Sequence, residues 1–152
     1  MQSSKKASGL HFGLVNQTLF AIMRTEHINA LNALKHSMSA KRILVADDDQ
    51  FVRDLMRALL APSGYAIEEA ADGEEAVRKC LHDSFDLLLI DHNMPEMSGP
   101  EACAEIRRQK PHMKVLMLSG RVGESEPAEV SFLLKPFENH ELLTLVRQML
   151  AG

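Results

Sequence analysis

Acidic side chains follow two apolar runs of the chain at the point where each run ends. Asp47, Asp48 and Asp49 come directly after "KRILVA", and Asp91 comes directly after "LLLI". Apolar runs of this length are typical of strands that are buried on both faces of a parallel sheet. Because ligands bind at the carboxyl ends of such strands, we expect the aspartate triplet and Asp91 to meet at one edge of the sheet.

The expected cluster of carboxylates favours a divalent cation. Carboxylates held this close repel one another unless a cation lies between them, and hard oxygen ligands with room for water suit Mg²⁺. A cation would keep Asp91 ionised, so that its carboxylate could attack a phosphoryl group as a nucleophile. Phosphoryl transfer then needs mainly in-line positioning and neutralised charge. Ser119 and Lys135, each after a later apolar run, could supply part of that neutralisation.

The elements that would position these side chains alternate regularly from Lys41 onward. Strands are predicted at 41–46, 65–70, 86–90, 114–118 and 132–134, and helices at 51–60, 73–81, 100–110 and 138–150. This alternation indicates an α/β fold with a doubly wound, five-stranded parallel sheet in the flavodoxin-like order 2-1-3-4-5. Residues 121–131 are too few for a helix between two loops. The fourth helix is therefore expected to be shortened or absent.

Local signals place the ends and the buried faces of the helices. Asp49 or Gln50 is expected to cap the first helix, and Ser98 the third; Asp72 is expected to cap the second in a capping box with Glu75. The first helix is expected to bury one apolar stripe, formed by Val52, Leu55, Met56, Leu59 and Leu60.

The composition is that of an ordinary globular protein, with 45% hydrophobic and 25% charged residues. Its charge is uneven. Residues 1–40 carry four basic and one acidic side chain, net +3, whereas residues 41–152 carry 13 basic and 20 acidic ones, net −7. An acidic domain without a basic patch argues against nucleic-acid binding. No apolar run approaches the roughly 20 residues of a membrane span, so no membrane association is expected.

Residues 1–38 do not belong to the alternation. We expect them to form an N-terminal extension, as a loose helix or a disordered segment, followed by one domain at 39–152. Within that domain Cys80 and Cys103 fall on predicted helices without a CxxC pair, so we expect buried, reduced thiols. Such cysteines fit the cytoplasm better than a secreted disulfide scaffold.

Four stretches resemble, in order and spacing, the receiver domains of two-component response regulators: "ILVADDD", "LLLIDHNMPEMSG", "VLMLSG" and "FLLKPF". The resemblance implies that Asp91 accepts the phosphoryl group. It also implies that Asp91, Asp48 and the backbone carbonyl of Asn93 bind Mg²⁺, with Asp47 contributing through a water molecule. Asp49 matches no ligand position of the family.

The resemblance assigns the remaining positions to the response to phosphorylation. Ser119 falls at the hydroxyl switch position, and Lys135 at the position of the lysine that contacts the phosphoryl group. Phe132 falls at the aromatic switch position, which is often tyrosine in the family. The Lys135–Pro136 bond falls where the family has a cis peptide.

The leading functional hypothesis is a stand-alone receiver in a two-component system or phosphorelay. It takes a phosphoryl group from a histidine kinase or a histidine phosphotransfer protein and signals through contacts with a downstream protein. Mg²⁺-dependent self-phosphorylation and self-dephosphorylation are expected at Asp91, without enzymatic turnover. The end of the chain after the last helix is taken to mean that no DNA-binding domain follows.

Two alternatives stay open. One is a phosphorylation-independent adaptor, which is a degenerate receiver. The expected shortening of the fourth helix favours this alternative. The other is an aspartate-nucleophile phosphatase of the haloacid-dehalogenase type, which needs an acidic general acid where this chain has Asn93. For a receiver, the short segment 121–131 predicts that phosphorylation reorders a loop and that the protein stays monomeric or dimerises through another surface, such as residues 1–40.

Overall fold

The computed structural model describes residues 21–32, 34, 40–121 and 129–151. The chain divides into two compact units, Met1–Ser39 and Ala40–Gly152. In the first unit, residues 21–32 are helical and exposed. The expectation of a loose helix or disorder otherwise falls on 1–20, 33 and 35–38, which lie outside the described residues, and the domain boundary stays a prediction.

The second unit is built on a five-stranded parallel sheet in the order β2-β1-β3-β4-β5, which confirms the predicted doubly wound α/β fold. The strands are β1 (Arg42–Ala46), β2 (Ala66–Ala70), β3 (Leu87–Asp91), β4 (Val115–Ser119) and β5 (Ser131–Leu134).

The register of the sheet brings the ends of the strands together. Ala46 of β1 pairs with Ile90 of β3, so the residues that follow them, Asp47 and Asp91, are neighbours at the carboxyl edge. Asp91 pairs in turn with Leu118 of β4, the residue before Ser119.

Helices cover both faces of the sheet and enclose two cores. The helices are α1 (Gln50–Leu60), α2 (Gly73–His82), α3 (Gly99–Gln109) and α4 (Asn139–Ala151), with a 3₁₀ turn at Ala61–Ser63. One core joins the sheet to α2 and α3 and includes Cys80 and Cys103. The other core joins the sheet to α1 and α4. Both cysteines are buried and unpaired, as predicted.

Strand β3 explains why four aliphatic residues precede Asp91. Leu87, Leu88, Leu89 and Ile90 are all fully buried, because helices pack on both faces of this central strand. Their burial removes apolar surface worth about 1.5–3 kcal/mol per side chain from water. It fixes the backbone from which Asp91 projects.

The connection between β4 and β5 is short, as predicted, because β4 ends at Ser119 and β5 begins at Ser131. Gly120, Arg121, Glu129 and Val130 are not helical, and residues 122–128 lie outside the described part of the chain. The four described residues agree with the expectation of a shortened or absent fourth helix. Elsewhere in the described residues, no helix is long and apolar enough to cross a membrane.

The helix caps follow the predicted residues with one difference. The side chain of Asp49 accepts a hydrogen bond from the Phe51 N–H, and that of Ser98 forms a capping box with Glu101. The Asp72 side chain also caps α2, but the Glu75 carboxylate accepts from the N–H of Ala71 at 2.8 Å. The predicted capping box at Asp72 is therefore wrong in its second half, because Glu75 reaches one residue further back.

Candidate functional site

Three carboxylates converge at the carboxyl edge of β1 and β3. One carboxylate oxygen from each of Asp47, Asp48 and Asp91 lies within 4.8 Å of the others. Asp47 and Asp91 are buried, whereas Asp48 is exposed. Asp49 is exposed and caps α1, so the third member of the aspartate triplet serves the helix. The sheet register thus brings together Asp47, Asp48 and Asp91, three of the four acidic residues that the sequence singled out.

Asp47 has one satisfied and one unsatisfied carboxylate oxygen. Its Oδ1 accepts a hydrogen bond from the Asp49 N–H at 2.9 Å. Its Oδ2 is buried and has no hydrogen-bond partner among the described residues. Burial is the largest cause that raises the pKa of the Asp47 carboxyl, and the nearby charges of Asp91 and Asp48 add to it. A buried carboxylate oxygen without a donor fits the ligand set of a hard cation.

Asp91 is held by one donor on each oxygen. Its Oδ1 accepts from the Nζ of Lys135 at 2.6 Å, and its Oδ2 accepts from the N–H of Asn93 at 3.1 Å. Lys135 follows β5 directly, and its N–H donates to the carbonyl of Ser119 at 2.8 Å. The Lys135–Pro136 peptide is cis, as the resemblance implied. The β5 end therefore delivers an ammonium to the one carboxylate that projects from β3.

The loop after β3 closes tightly on the site. The N–H of Gly99 donates to the carbonyl of His92 at 2.9 Å. A Cβ at Gly99 would lie 2.3 Å from the carbonyl oxygen of Asp91, so only glycine fits this close approach. His92 is half-buried, and its Nδ1 lies 3.1 Å from the Oδ1 of Asn93. Met94 is buried in the core.

Ser119 is buried, and its hydroxyl is engaged by its own loop. The Oγ donates to the carbonyl of Arg121 and accepts from the Arg121 N–H at 3.1 Å. Beside it lies a cavity of about 340 Å³, lined by His92, Asn93, Ser119, Gly120 and Arg121. Phe132 is partly buried against the core that contains α2 and α3. The hydroxyl and the aromatic ring are present where the sequence placed them, but the roles assigned to them stay predictions.

The burial of Arg53 was not predicted from the sequence. The predicted stripe of α1 is wrong at Leu55, which is 41% exposed, whereas Arg53 is buried at 7%. Helical periodicity treats a charged residue as solvent-facing, and nothing in the sequence marked this arginine as an exception. Its neighbours on β2 and at the end of β1 explain its burial.

Comparison with known proteins agrees with this geometry. A family model described as "Response regulator receiver domain" matches residues 43–147. The chain is 36% identical to the transcriptional regulatory protein ResD of Bacillus subtilis (strain 168) over 115 residues, which are 72% of this chain and 48% of that protein. It is also 36% identical to the response regulator MprA of Mycobacterium leprae (strain TN), covering 72% of this chain and 50% of that protein.

A solved structure shows the same fold with ligands bound. The response regulator TrrA of Thermotoga maritima, determined in complex with Mg²⁺ and BeF, has a TM-score of 0.66 and 34% identity, and the match covers 72% of this chain and 98% of that one. The protein described here thus belongs to the response regulator receiver domain family of two-component systems. The chain spans about half the length of the curated relatives it matches.

Proposed function

We propose that the chain is the phosphoacceptor module of a two-component system or phosphorelay. In this proposal Asp91 accepts a phosphoryl group from a histidine kinase or a histidine phosphotransfer protein, and the phosphorylated form signals to a downstream protein through direct contacts. The observation that carries the proposal is the convergence of three carboxylates within 4.8 Å of one another, one of them 2.6 Å from the Lys135 ammonium.

The donor set fits Mg²⁺. Asp48 and Asp91 would hold the ion together with the backbone carbonyl of Asn93, and Asp47 would contribute through water. The unpartnered Oδ2 of Asp47 supports this assignment, because a buried carboxylate oxygen is costly without a donor or a cation. When bound, Mg²⁺ neutralises charge on the phosphoryl oxygens during transfer.

The protein's own residues account for the remaining steps. An oxygen of Asp91 attacks phosphorus and forms an O–P bond, while the P–N bond of the donor phosphohistidine breaks. The electron pair of that bond goes to the imidazole nitrogen, which takes a proton from solvent. Lys135 then contacts a phosphoryl oxygen in place of the free carboxylate. The Ser119 hydroxyl can donate to another phosphoryl oxygen once it releases the carbonyl of Arg121.

Loss of the phosphoryl group closes the cycle. Water attacks phosphorus, the bond to the Asp91 oxygen breaks, and inorganic phosphate leaves with the carboxylate restored. The chain is thus modified and demodified in each cycle, and we propose no enzymatic turnover of a separate substrate. A phosphatase of the haloacid-dehalogenase type is disfavoured, because the Asn93 amide cannot serve as a general acid.

The test is incubation with Mg²⁺ and a small acyl phosphate, followed by intact-protein mass spectrometry. We expect a single base-labile phosphoryl group on the wild type and none on Asp91→Asn, since an amide is not a nucleophile. Asp49→Asn is the matched control, because it changes a neighbouring aspartate that caps α1. Labelling that persists in Asp91→Asn contradicts the assignment of the site. A wild type that takes up no phosphoryl group from small donors or from histidine kinases favours the adaptor.

The donor would be identified by phosphotransfer profiling. Purified histidine kinases and phosphotransfer proteins, each labelled on histidine, would be mixed briefly with the chain. We expect one or a few donors to transfer to Asp91 far faster than the rest. Uniformly slow transfer from every donor would speak against a receiver that works in a phosphorelay.

A further inference from the structure

Arg53 is a buried cation in the first turns of α1. Its NH1 donates to the backbone carbonyl of Asp47 at 2.7 Å, and its Nε donates to the Oε2 of Glu69 at 3.2 Å. Its NH2 donates to the Oε1 of Gln50. Charged side chains are rarely buried unless they are paired in this way, so the position is specific. The guanidinium connects α1, the end of β2 and the end of β1.

The hydrogen bond from Arg53 adds to the contacts that hold Asp47 in place. The N–H of Asp47 donates to the carbonyl of Ala70 at 3.2 Å, and its carbonyl accepts from Arg53. Its Oδ1 accepts from the Asp49 N–H at 2.9 Å. Oδ2 is thus the one polar atom of Asp47 without a partner among the described residues. The Asp47 carboxylate belongs to the cluster with Asp48 and Asp91.

Glu69 balances the charge of Arg53. Its Oε1 also pairs with Arg57, whose NH2 lies 2.6 Å away. Burial alone would raise the pKa of Glu69, but the hydrogen bonds from Arg57 and Arg53 outweigh it and lower the pKa. Glu69 is therefore a stable counter-ion on β2. Arg53 can hold the backbone at Asp47 without adding an uncompensated positive charge behind the carboxylates.

We propose that Arg53 is a positioning residue for the cation site: its guanidinium fixes the peptide between Asp47 and Asp48 and so aims both carboxylates at the cation. This inference rests on the proposed function, because it presumes that the carboxylates bind Mg²⁺. The peptide that Arg53 holds lies between the two acidic residues, so freeing it lets both side chains move.

Lysine cannot replace the arginine in this role. The guanidinium presents five N–H donors in a rigid fork. Three groups accept from it here: the carbonyl of Asp47, which follows β1, and the side chains of Glu69 on β2 and Gln50 on α1. An ammonium keeps the charge but cannot span Asp47, Glu69 and Gln50 together. Residues that orient metal ligands without contacting the metal typically contribute roughly 10- to 100-fold to metal affinity.

The test compares Arg53→Lys and Arg53→Met with Arg57→Lys and Arg57→Met. Arg57 lies one turn further along α1 and pairs with the same Glu69, yet its other hydrogen bond goes to the carbonyl of Ile67 on β2. Mg²⁺ dissociation constants of the unphosphorylated proteins would be measured by calorimetry, beside urea unfolding curves. We expect Mg²⁺ affinity to fall by about 10-fold or more in both Arg53 variants and to stay at the wild-type value in the Arg57 variants.

A second readout separates positioning from stability. For the Arg53 variants, we expect saturating Mg²⁺ to restore most of the rate of phosphorylation by a small acyl phosphate. Folded Arg53 variants with wild-type Mg²⁺ affinity would overturn the inference, as would Arg57 variants that lose as much. If Arg53→Met fails to fold, Arg53→Lys decides. A wild type that binds no Mg²⁺ would instead overturn the proposed function.

Discussion

Two halves of the site differ in how far the protein already arranges them. In the acceptor half, formed by Asp47, Asp48, Asp91 and Lys135, the charged groups already face one another, with Lys135 2.6 Å from Asp91. In the response half, formed by Ser119, Arg121 and Phe132, the hydroxyl is bonded to the backbone of its own loop. Under the proposed function, this difference predicts that uptake of a phosphoryl group and the response to it are separable.

The physical origin of the difference is the support that each half receives. The residues of the acceptor half lie at the ends of strands that pack between two buried cores. Arg53 also donates a hydrogen bond to the backbone carbonyl of Asp47. The response half opens into the short connection after β4. Changes in the acceptor half should therefore alter binding and chemistry, whereas changes in the response half should alter the conformational response to phosphorylation.

The largest expected effect separates the metal ligand from the ammonium. Asp48→Ala deletes a proposed direct ligand, so Mg²⁺ affinity should fall by more than the roughly 10- to 100-fold that is typical when a residue that only positions the ligands is lost. Lys135→Ala should leave the affinity unchanged or improve it, because it removes a cation 2.6 Å from Asp91. Calorimetric titration of the unphosphorylated proteins measures both. Equal losses of Mg²⁺ affinity in the two variants would show that Asp48 and Lys135 do not have separate roles in metal binding.

The next effect concerns the close approach of the loop to β3. Gly99→Ala places a Cβ 2.3 Å from the Asp91 carbonyl oxygen. The free energy of unfolding should fall by about 1–3 kcal/mol, as for other overpacked sites. Gly120→Ala is the matched control in the response half, since nothing lies within 4 Å of its added Cβ. Urea unfolding compares the two variants. Equal losses in the free energy of unfolding would mean that the backbone beside Asp91 is no more tightly packed than the backbone beside Ser119.

A smaller effect belongs to the response half. Ser119→Ala removes the acceptor of the Arg121 N–H, which should reduce the free energy of unfolding by about 1 kcal/mol. Phosphoryl uptake from a small donor should persist, while the change in hydrogen exchange that we expect phosphorylation to cause at 121–131 should disappear. Ser119→Thr keeps the hydroxyl and should retain that change. Loss of phosphoryl uptake in Ser119→Ala would show that uptake and response are not separable.

The smallest effect is a pH dependence of the metal-free protein. Because burial raises the pKa of Asp47, the folded state binds a proton more tightly than the unfolded state. Stability should therefore fall as the pH rises from the unfolded to the raised folded pKa, and Asp47→Asn should be more stable than the wild type above that window. Below the unfolded pKa this advantage should vanish. Unfolding by urea in a chelating buffer measures it.

Asp49→Asn is the control for that pH series. It also removes one negative charge, but it keeps a helix-capping residue on α1. If both variants gain the same stability at neutral pH, general charge reduction explains the result and the unpartnered oxygen of Asp47 does not. Addition of Mg²⁺ should stabilise the wild type more than Asp47→Asn.

The fold and the meeting of Asp47, Asp48, Asp91 and Lys135 at one edge of the sheet were predictable from the sequence, for physical reasons that particular residues show. The run from Leu87 to Ile90 predicts a doubly covered strand, because only a buried strand needs apolar residues on both faces. Once the strand order is known, Asp47 and Asp91 must be neighbours. Lys135 was expected at the same edge of the sheet because it directly follows the last residue of β5.

Three features were not predictable from the pattern. Arg53 is buried while Leu55 is exposed, because an ion pair with Glu69 overrides helical periodicity. Glu75 bonds Ala71 where a capping box at Asp72 was predicted, since side-chain reach is set by local geometry. The two hydrogen bonds between Ser119 and Arg121 depend on the path of the chain after β4, which has no periodic signal.

The most direct test of the account locates the phosphoryl group chemically. The protein would be incubated with Mg²⁺ and a small acyl phosphate, treated with borohydride, digested and analysed by tandem mass spectrometry. Borohydride reduces an aspartyl phosphate to the alcohol, so residue 91 should be recovered as homoserine, and only when both Mg²⁺ and donor were present. Homoserine at Asp47, Asp48 or another position, or none at any position despite a measured phosphoryl gain, would contradict Asp91 as the acceptor.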